Sequence, residues 1–306
     1  MSSHFEAIIY EKRDFIARLT LNRPQSRNSL NMQLMREVCE ALEDAEQDRG
    51  IGVIVITGSG DRIFCPGLDL PWAQELFNDP HQTRMMVGQY GRMIADIRST
   101  GKPVVARVNG LTAGGGCELV IHCDLAIAAE HARFQQGEGG VGAIATYATQ
   151  SLTPVMGEKK AKWFLFTDEL IDARTALNWG LVNKVVPYEQ LDAEIDKLCN
   201  NLLNKGPRSL RFTKAQTNIW FDLVAHTIRE GDEFWTLQST TSEPLEGIAA
   251  FLEKREPQHL KMRGETAKGK ATGYLWGPPT RACPKCNTKN LPADFDFCGK
   301  CGAKLV

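Results

Sequence analysis

Two Cys-x2-Cys pairs near the C-terminal end, Cys283-Pro-Lys-Cys286 and Cys298-Gly-Lys-Cys301, carry the most specific chemical signature in the chain. Such pairs, with glycine behind the second, form knuckles in which backbone amides face the thiolates and four sulfurs close a tetrahedron. Zn²⁺ suits this donor set best. A closed four-thiolate site leaves no position for substrate, so its role is to fold a segment too short to build its own core. Spacing alone leaves a one-iron site open, and the bland alternative is four free surface thiols.

A second group of residues lies in three separated segments: IFCPGLDL at Ile63 to Leu70, NGLTAGGGCELVIHCDLAIA at Asn109 to Ala128, and FQQGEGGVG at Phe134 to Gly142. Gly114 to Gly116 follow an apolar run and open an apolar helix, so their amides stand at a positive helix terminus suited to an anion. Gly67 and Leu68 form a second tight turn after a strand. Two amides converging from these turns would make an oxyanion hole for a thioester carbonyl that becomes an enolate. Glu118 sits one turn into the apolar helix, where a carboxylate is costly without a partner. Glu138 lies between glycines. Two carboxylates beside one oxyanion hole can hold a water and shuttle its proton, one as base and one as acid. On pattern alone a capping Glu118 and a solvated Glu138 fit equally well. No Gly-x-Gly-x-x-Gly opens the first crossover and no Gly-Lys-Ser/Thr occurs, which argues against a nucleotide fold.

These residues need elements to position them. AIIYEKRDFIARLTL, Ala7 to Leu21, reads as a hairpin around a polar Lys12 to Asp14 turn. Asn31 to Asp48 reads as an amphipathic helix, and Val53 to Thr57, closed by Gly58, as a strand buried on both faces. A helix near Arg84 to Ile97 precedes further buried runs at Pro103 to Val108 and Asp124 to Ala129. Strands recurring with helices between them predict an α/β fold with a largely parallel sheet. From Glu158 to Arg255 helical periods dominate, with Asp172 as an N-cap and Pro207 as a first-turn proline. Pro257 to Thr280 has linker composition.

Composition narrows the class. The 306 residues, 42% hydrophobic, suffice for one sizeable core and a small appendage, and 36 Lys plus Arg balance 37 acidic residues. That balance attracts neither nucleic acid nor anionic membrane. The N-terminus resembles neither a signal nor a transit peptide and no apolar run spans a membrane, so a cytoplasmic setting is expected. Cys39, Cys65, Cys117, Cys123 and Cys199 are scattered through apolar segments, as buried free thiols are.

Taken together, the three segments resemble the crotonase (enoyl-CoA hydratase/isomerase) superfamily over roughly Phe5 to Arg263. NRP at Asn22 to Pro24, GLVNKVVP at Gly180 to Pro187 and EGIAAFLEKR at Glu246 to Arg255 strengthen the match. The resemblance implies a spiral of β-β-α units with a helical C-terminal oligomerisation layer from about residue 190, assembling as homotrimers or hexamers. It implies an acyl-CoA domain over residues 1–257, a linker over 258–280 and a zinc ribbon over 281–306. It implies Leu68 and Gly115 as the oxyanion amides, Glu118 and Glu138 as the catalytic pair, and Gly67, Asp69, Gly114 and Tyr147 against the substrate. Coenzyme A would enter as part of the substrate. Retention of both glutamates points to syn addition of water to an enoyl thioester, Glu118 activating the water and Glu138 delivering the α-proton. The rival readings are a crotonase-type hydrolase or isomerase acting on a cyclic acyl-CoA, and a non-catalytic binding module.

The chain departs from the usual hydratase pattern after Gly142, where AIATYATQ, Ala143 to Gln150, stands in place of a glycine-rich turn. Thr146 and Tyr147 would reshape the acyl pocket there and admit an aromatic or alicyclic acyl group. The segment holds no Asp or Glu, which counts against a carboxylate nucleophile. His122, four residues after Glu118, reads as a core histidine. Arg62, Lys102, Lys254 and Arg255 are candidates for the CoA phosphates. The ribbon carries Lys285, Lys289, Lys300 and Lys304 against Asp294 and Asp296, with Phe295 and Phe297 nearby, and suits a protein partner better than nucleic acid.

Overall fold

The computed structural model describes residues 5–77, 79–268, 280–289, 291–292 and 295–305. It opens on the expected hairpin: β1 (Ile8–Arg13) and β2 (Ile16–Leu21) are antiparallel, with Ile8 opposite Leu21 and Arg13 opposite Ile16. The reversal falls on Asp14 and Phe15, at φ 51° and 65°, rather than on Lys12 to Asp14. A two-residue connection with both residues left-handed follows the right-handed twist of the strands. Ala17, Leu19 and Leu21 alternate inward from β2 and are buried. Asn31 caps the following helix α1 (Met32–Gln47) by accepting the Leu34 N–H at 3.0 Å.

The chain then repeats one unit. β3 (Val53–Gly58) joins the first sheet, β4 (Ile63–Cys65) begins a second, and α2 (Leu70–Leu76) and α3 (Pro80–Ser99) follow. β5 (Val104–Val108), β6 (Leu111–Ala113) and α4 (Gly115–His122) form the next turn, and β7 (Leu125–Ala129), β8 (Arg133–Gln135), α5 (Thr146–Met156) and α6 (Glu158–Thr167) the next. β9 (Ile171–Asp172) edges the second sheet, and β10 (Lys184–Val186) closes the first after α7 (Ala173–Trp179). The six-stranded sheet runs β1-β2-β3-β5-β7-β10 and the four-stranded sheet β4-β6-β8-β9. Each turn of this β-β-α spiral adds a strand to both sheets. The loops leaving β4, β6 and β8 therefore come to lie side by side.

β3 is buried along its whole length, as its unbroken apolar run predicts. Val53 and Val55 join Val105 and Ile127 beneath α8 (Tyr188–Leu203), which contributes Leu191, Ile195 and Cys199. Ile54 and Ile56 face the larger core with Leu34, Val38, Tyr90 and Ile94 of α1 and α3. Beyond α8 come α9 (Pro207–Thr217), α10 (Ile219–Ser239), α11 (Ser242–Glu253) and α12 (His259–Ala267). Pro207 occupies the first turn of α9, and Asp172 caps α7 by accepting the Thr175 N–H at 2.7 Å. The α9–α10 stretch leaves Phe212, Trp220 and Phe234 exposed.

The opening of the segment read as linker is the helix α12, whose side chains include no buried residue. Its apolar residues are too few to announce a helix by periodicity. Residues 269–279 of that segment, and Asp294 of the ribbon, lie outside the described residues. In the ribbon, β11 (Thr280–Arg281) pairs antiparallel with β12 (Leu291–Pro292). No helix among the described residues is long and apolar enough to cross a membrane. The five scattered cysteines are buried free thiols, as expected.

Candidate active site

Gly67 at φ 95° ends the β4 loop, and Gly114 at φ 49° ends the β6 loop before α4. A Cβ at Gly67 would stand 3.0 Å from both Ala113 O and Gly115 N, and one at Gly114 would stand 3.0 Å from Glu138 Oε1. Glycine is needed at both positions for its left-handed backbone and for this close approach. Leu30 fixes the first turn from the side, donating its N–H to Gly67 O at 2.8 Å while its carbonyl accepts the Asp69 N–H at 2.9 Å. The Leu68 and Gly115 amides are thus brought together, and neither donates to another group among the described residues. Two free N–H groups beside a helix N-terminus favour a developing negative charge.

Glu118 and Glu138 adjoin these amides in contrasting environments. Glu118 is buried, with Oε2 accepting the Tyr90 hydroxyl at 2.6 Å and Oε1 the Ala148 N–H at 2.7 Å. Ala148 lies in the first turn of α5, and the Tyr147 amide also faces this carboxylate. One helix carries Glu118 and the N-terminus of another receives it. Burial raises its carboxyl above the ordinary glutamate range, and these three donors oppose that rise by stabilising the charge. Glu138 keeps partial exposure as a residue, yet its Oε2 is shielded from solvent and has no hydrogen-bond partner among the described residues. Burial, reinforced by the neighbouring Glu118 charge, pushes its carboxyl up to about 8. The two carboxyls therefore differ in surroundings: donors on both Glu118 oxygens stabilise its charged form, whereas the Glu138 carboxyl, with a shielded and unpartnered Oε2, is pushed up to about 8.

Tyr90, which no motif marked, reaches Glu118 from α3. Its ring packs edge-on against Tyr147 and Trp235, with centroids 5.3 and 5.7 Å away. In the sequence it reads as one more core position among Met86, Val87, Met93 and Ile94. Tyr147 is buried, and its hydroxyl donates to Asp232 Oδ1 at 2.8 Å. Asp69 caps α2, and its Oδ2 accepts from Arg23 at 3.0 Å and Ser29 at 3.2 Å, so its carboxylate buttresses the Leu68 turn. His122 is a buried core residue, as read from the sequence, against Phe221 and Tyr147. Burial, with the Arg98 charge, lowers it to about 3, so it is neutral.

Of the four bases considered for phosphate, Lys102 donates to the Ala45 and Asp48 carbonyls and Arg255 pairs with Glu246 and Glu253. Arg62 and Lys254 are exposed. A cleft of about 760 Å³ lies between α3 and the α9–α10 pair; it does not include the carboxylates, and Tyr147 forms part of its wall.

The four ribbon cysteines converge, their Sγ atoms all within 4.8 Å of one another. Cys283 and Cys301 are 3.5 Å apart through sulfur, and Cys286 and Cys298 3.7 Å. A tetrahedron with metal–sulfur bonds of about 2.3 Å has edges of roughly 3.8 Å, so the donor set fits Zn²⁺. The knuckles repeat each other: the Asn287 N–H returns to Cys283 O at 2.9 Å and the Gly302 N–H to Cys298 O at 2.8 Å, both residues at positive φ.

Comparison with known proteins gives the family of the chain. Residues 11–261 match the family described as enoyl-CoA hydratase/isomerase. A crotonyl-CoA hydratase of Syntrophomonas wolfei is 38% identical over 259 residues, covering 84% of this chain and 98% of the relative. An enoyl-CoA hydratase of Mycobacterium avium subsp. paratuberculosis superposes with a TM-score of 0.75 at 26% identity, covering 83% of this chain and 98% of its own. An enoyl-CoA hydratase/isomerase of Xanthobacter autotrophicus gives 0.74 at 27%, covering 88% of this chain and all of its own.

Proposed function

Because the chain belongs to the enoyl-CoA hydratase/isomerase family, we propose that it adds water across the α,β double bond of an enoyl-CoA thioester. The Leu68 and Gly115 amides hold the thioester oxygen, each contributing about 3 kcal/mol as charge develops there. Glu118, ionised and gripped by Tyr90 and the α5 amides, takes a proton from the water whose oxygen bonds to the β-carbon. Glu138, protonated, delivers its proton to the α-carbon. The pair has then exchanged roles, and a proton passing from Glu118 to Glu138 through the next water resets it. Gly67 and Gly114 keep the floor of the site clear of side chains, and Asp69 acts by positioning the Leu68 turn. The observation that carries this reading is the division of the carboxylates, one with donors on both oxygens and one with a bare, shielded Oε2. The name of the 38% identical relative supports the same chemistry.

The test is incubation with crotonyl-CoA, followed by loss of enoyl absorbance and by mass spectrometry. Gain of one water with CoA retained is the expected result, and about a thousandfold or greater loss in Glu118→Gln and Glu138→Gln. Free CoA or an isomer of unchanged mass would transfer the assignment to a hydrolase or an isomerase.

The residues 1–257 would form the acyl-CoA domain, cytoplasmic and homo-oligomeric as a trimer or hexamer. The exposed Phe212, Trp220 and Phe234 support such assembly, which mass photometry measures. Residues 281–306 would be a ribbon whose Cys283, Cys286, Cys298 and Cys301 hold a structural Zn²⁺; bound there, the ion supplies folding energy to the two knuckles. Phe295 and Phe297 are exposed on the ribbon and support a protein-docking role.

A further inference from the structure

The loop that carries Glu138 is tied to a second carboxylate, Asp168, which takes no part in the reaction derived above. β9 runs antiparallel to β8 with Phe134 opposite Ile171, and that register continued past Gln135 brings the end of α6 alongside the glycines around Glu138. Asp168 ends α6 in the left-handed region, at φ 51° and ψ 28°, where glycine is the ordinary residue. Its carboxylate lies against the loop backbone. A Cβ at Gly139 would stand 3.1 Å from Asp168 Oδ1, and one at Gly140 would stand 2.8 Å from Oδ2. Burial raises the Asp168 carboxyl, and the Gly140 and Gly139 amides oppose the rise by stabilising its charge. Oδ1 is shielded from solvent and has no hydrogen-bond partner of its own among the described residues. The same residue holds the start of the loop, since Gln135 Nε2 donates to Asp168 O at 2.7 Å. Gln135 O in turn accepts the Gly114 N–H at 2.9 Å. Asp168 thus meets the chain on both sides of Glu138 and is linked through Gln135 to the oxyanion turn. The loop also closes on itself, the Ala143 N–H reaching Glu138 O at 2.7 Å.

We propose that Asp168 is a positioning residue for the reaction, one that seats the Gly139–Gly140 backbone and thereby fixes the Glu138 carboxyl beside the Gly114 turn. The tolerance there is small, because Glu138 Oε1 stands only 3.0 Å from where a Cβ at Gly114 would be. A loop that drifts carries the acid away from the carbon it protonates. An aspartate in left-handed backbone is less favourable than a glycine, and the seat for the loop is what its side chain contributes against that cost. The charge has a second effect. Burial and the Glu118 charge raise the Glu138 carboxyl, and the Asp168 charge raises it further. The other titratable groups about Glu138 are Tyr90 of α3 and Cys117 of α4, both kept neutral by burial, and His259 of α12, whose Nε2 lies 3.2 Å from Gly140 O. A neutral side chain at position 168 therefore lets Glu138 lose its proton at lower pH. This inference rests on the hydratase reading of Glu118 and Glu138.

The experiment compares wild type, Asp168→Gly and Asp168→Asn by kcat and KM for crotonyl-CoA between pH 5 and 9, and by hydrogen exchange of the backbone over residues 137–143. Asp168→Gly suits the left-handed backbone and should fold, as circular dichroism checks. Its kcat should fall by about ten- to a hundredfold, its KM should change by less than about threefold, and residues 137–143 should exchange faster. Asp168→Asn keeps an oxygen for the two amides and removes the charge. It should recover kcat on the acid side of the basic limb to within about threefold of wild type, with that limb moved to lower pH. A residue that only supports the fold would leave the limb in place. Asp168→Gly with wild-type kcat and exchange overturns the proposal. So does an Asp168→Asn protein that is as slow as Asp168→Gly or keeps the wild-type basic limb. If no form hydrates crotonyl-CoA, the hydratase reading fails, and the exchange comparison still decides whether Asp168 seats the loop.

Discussion

Removal of the Tyr90 hydroxyl tests the electrostatic division of the two glutamates most directly. Tyr90→Phe keeps the ring, which is buried and edge-packed on Tyr147 and Trp235, and deletes one donor. That donor lies 2.6 Å from Glu118 Oε2. A hydrogen bond to a buried charged group contributes about 1.5–3 kcal/mol, and at about 1.36 kcal/mol per pH unit its loss corresponds to roughly one to two units. The sign follows from what the bond does. Burial raises the Glu118 carboxyl and the Tyr90 hydroxyl opposes the rise, so its removal lifts the carboxyl further. The fraction of Glu118 ionised near neutrality falls, and the acid limb of the kcat profile moves to higher pH by the same one to two units. On the acid limb kcat should drop by about ten- to a hundredfold at a given pH and recover as pH is raised, whereas KM for crotonyl-CoA should change little. The measurement is kcat and KM for hydration between pH 5 and 9. A uniform loss at every pH, with the acid limb in place, would show that Tyr90 only packs, and the division of the carboxylates would need another origin.

Gly114→Ala places a methyl 3.0 Å from Glu138 Oε1 on a backbone at φ 49°; turnover should fall by about a hundredfold or more, with the Leu68 turn intact by crystallography and the Glu138 carboxylate displaced. Glu138 carries a carboxyl raised by burial to about 8 from a glutamate's ordinary 4.5. A raised acid binds its proton more tightly when folded, so its contribution is complete below the unfolded value and is lost as pH rises through about 8. Thermal melts should accordingly show Glu138→Gln gaining stability relative to wild type between pH 5 and 9, and parallel curves would refute the burial argument. Metal analysis of the purified chain should find one zinc per chain, absent in a Cys283→Ser/Cys298→Ser variant. Chelation should expose residues 280–305 to protease and hydrogen exchange while crotonyl-CoA hydration continues, because four thiolates leave the ion no position for substrate.

Most of what is local here was legible in the chain itself. The unbroken apolar run of β3, the Asn31 and Asp172 caps and the 3.6-residue period of α1 depend on near neighbours, and each appears where expected. Gly67, Gly114, Glu118 and the four ribbon cysteines were equally visible, because steric demand, a charge in an apolar run and fixed ligand spacing leave marks on residue type, whereas Glu138, set between glycines, stood out only through the family resemblance. The three-residue strands β4, β6 and β8 were not, since they are too short to display an alternation. Nor was α12, whose apolar residues never face a core.

What only the tertiary structure decided is which residue meets which across long stretches of chain. Tyr90 is an ordinary member of a buried helix face until the spiral brings α3 against α4 and aims its hydroxyl at Glu118, 28 residues on. The Tyr147–Asp232 bond spans 85 residues and joins α5 to α10 beside the Tyr90 ring. Lys102 and Arg255, open to phosphate by sequence, are engaged by backbone carbonyls and by glutamates. Periodicity and motif spacing describe the faces of single elements. A hydrogen-bond partner depends on how those faces are stacked, and that stacking is a property of the packed spiral as a whole.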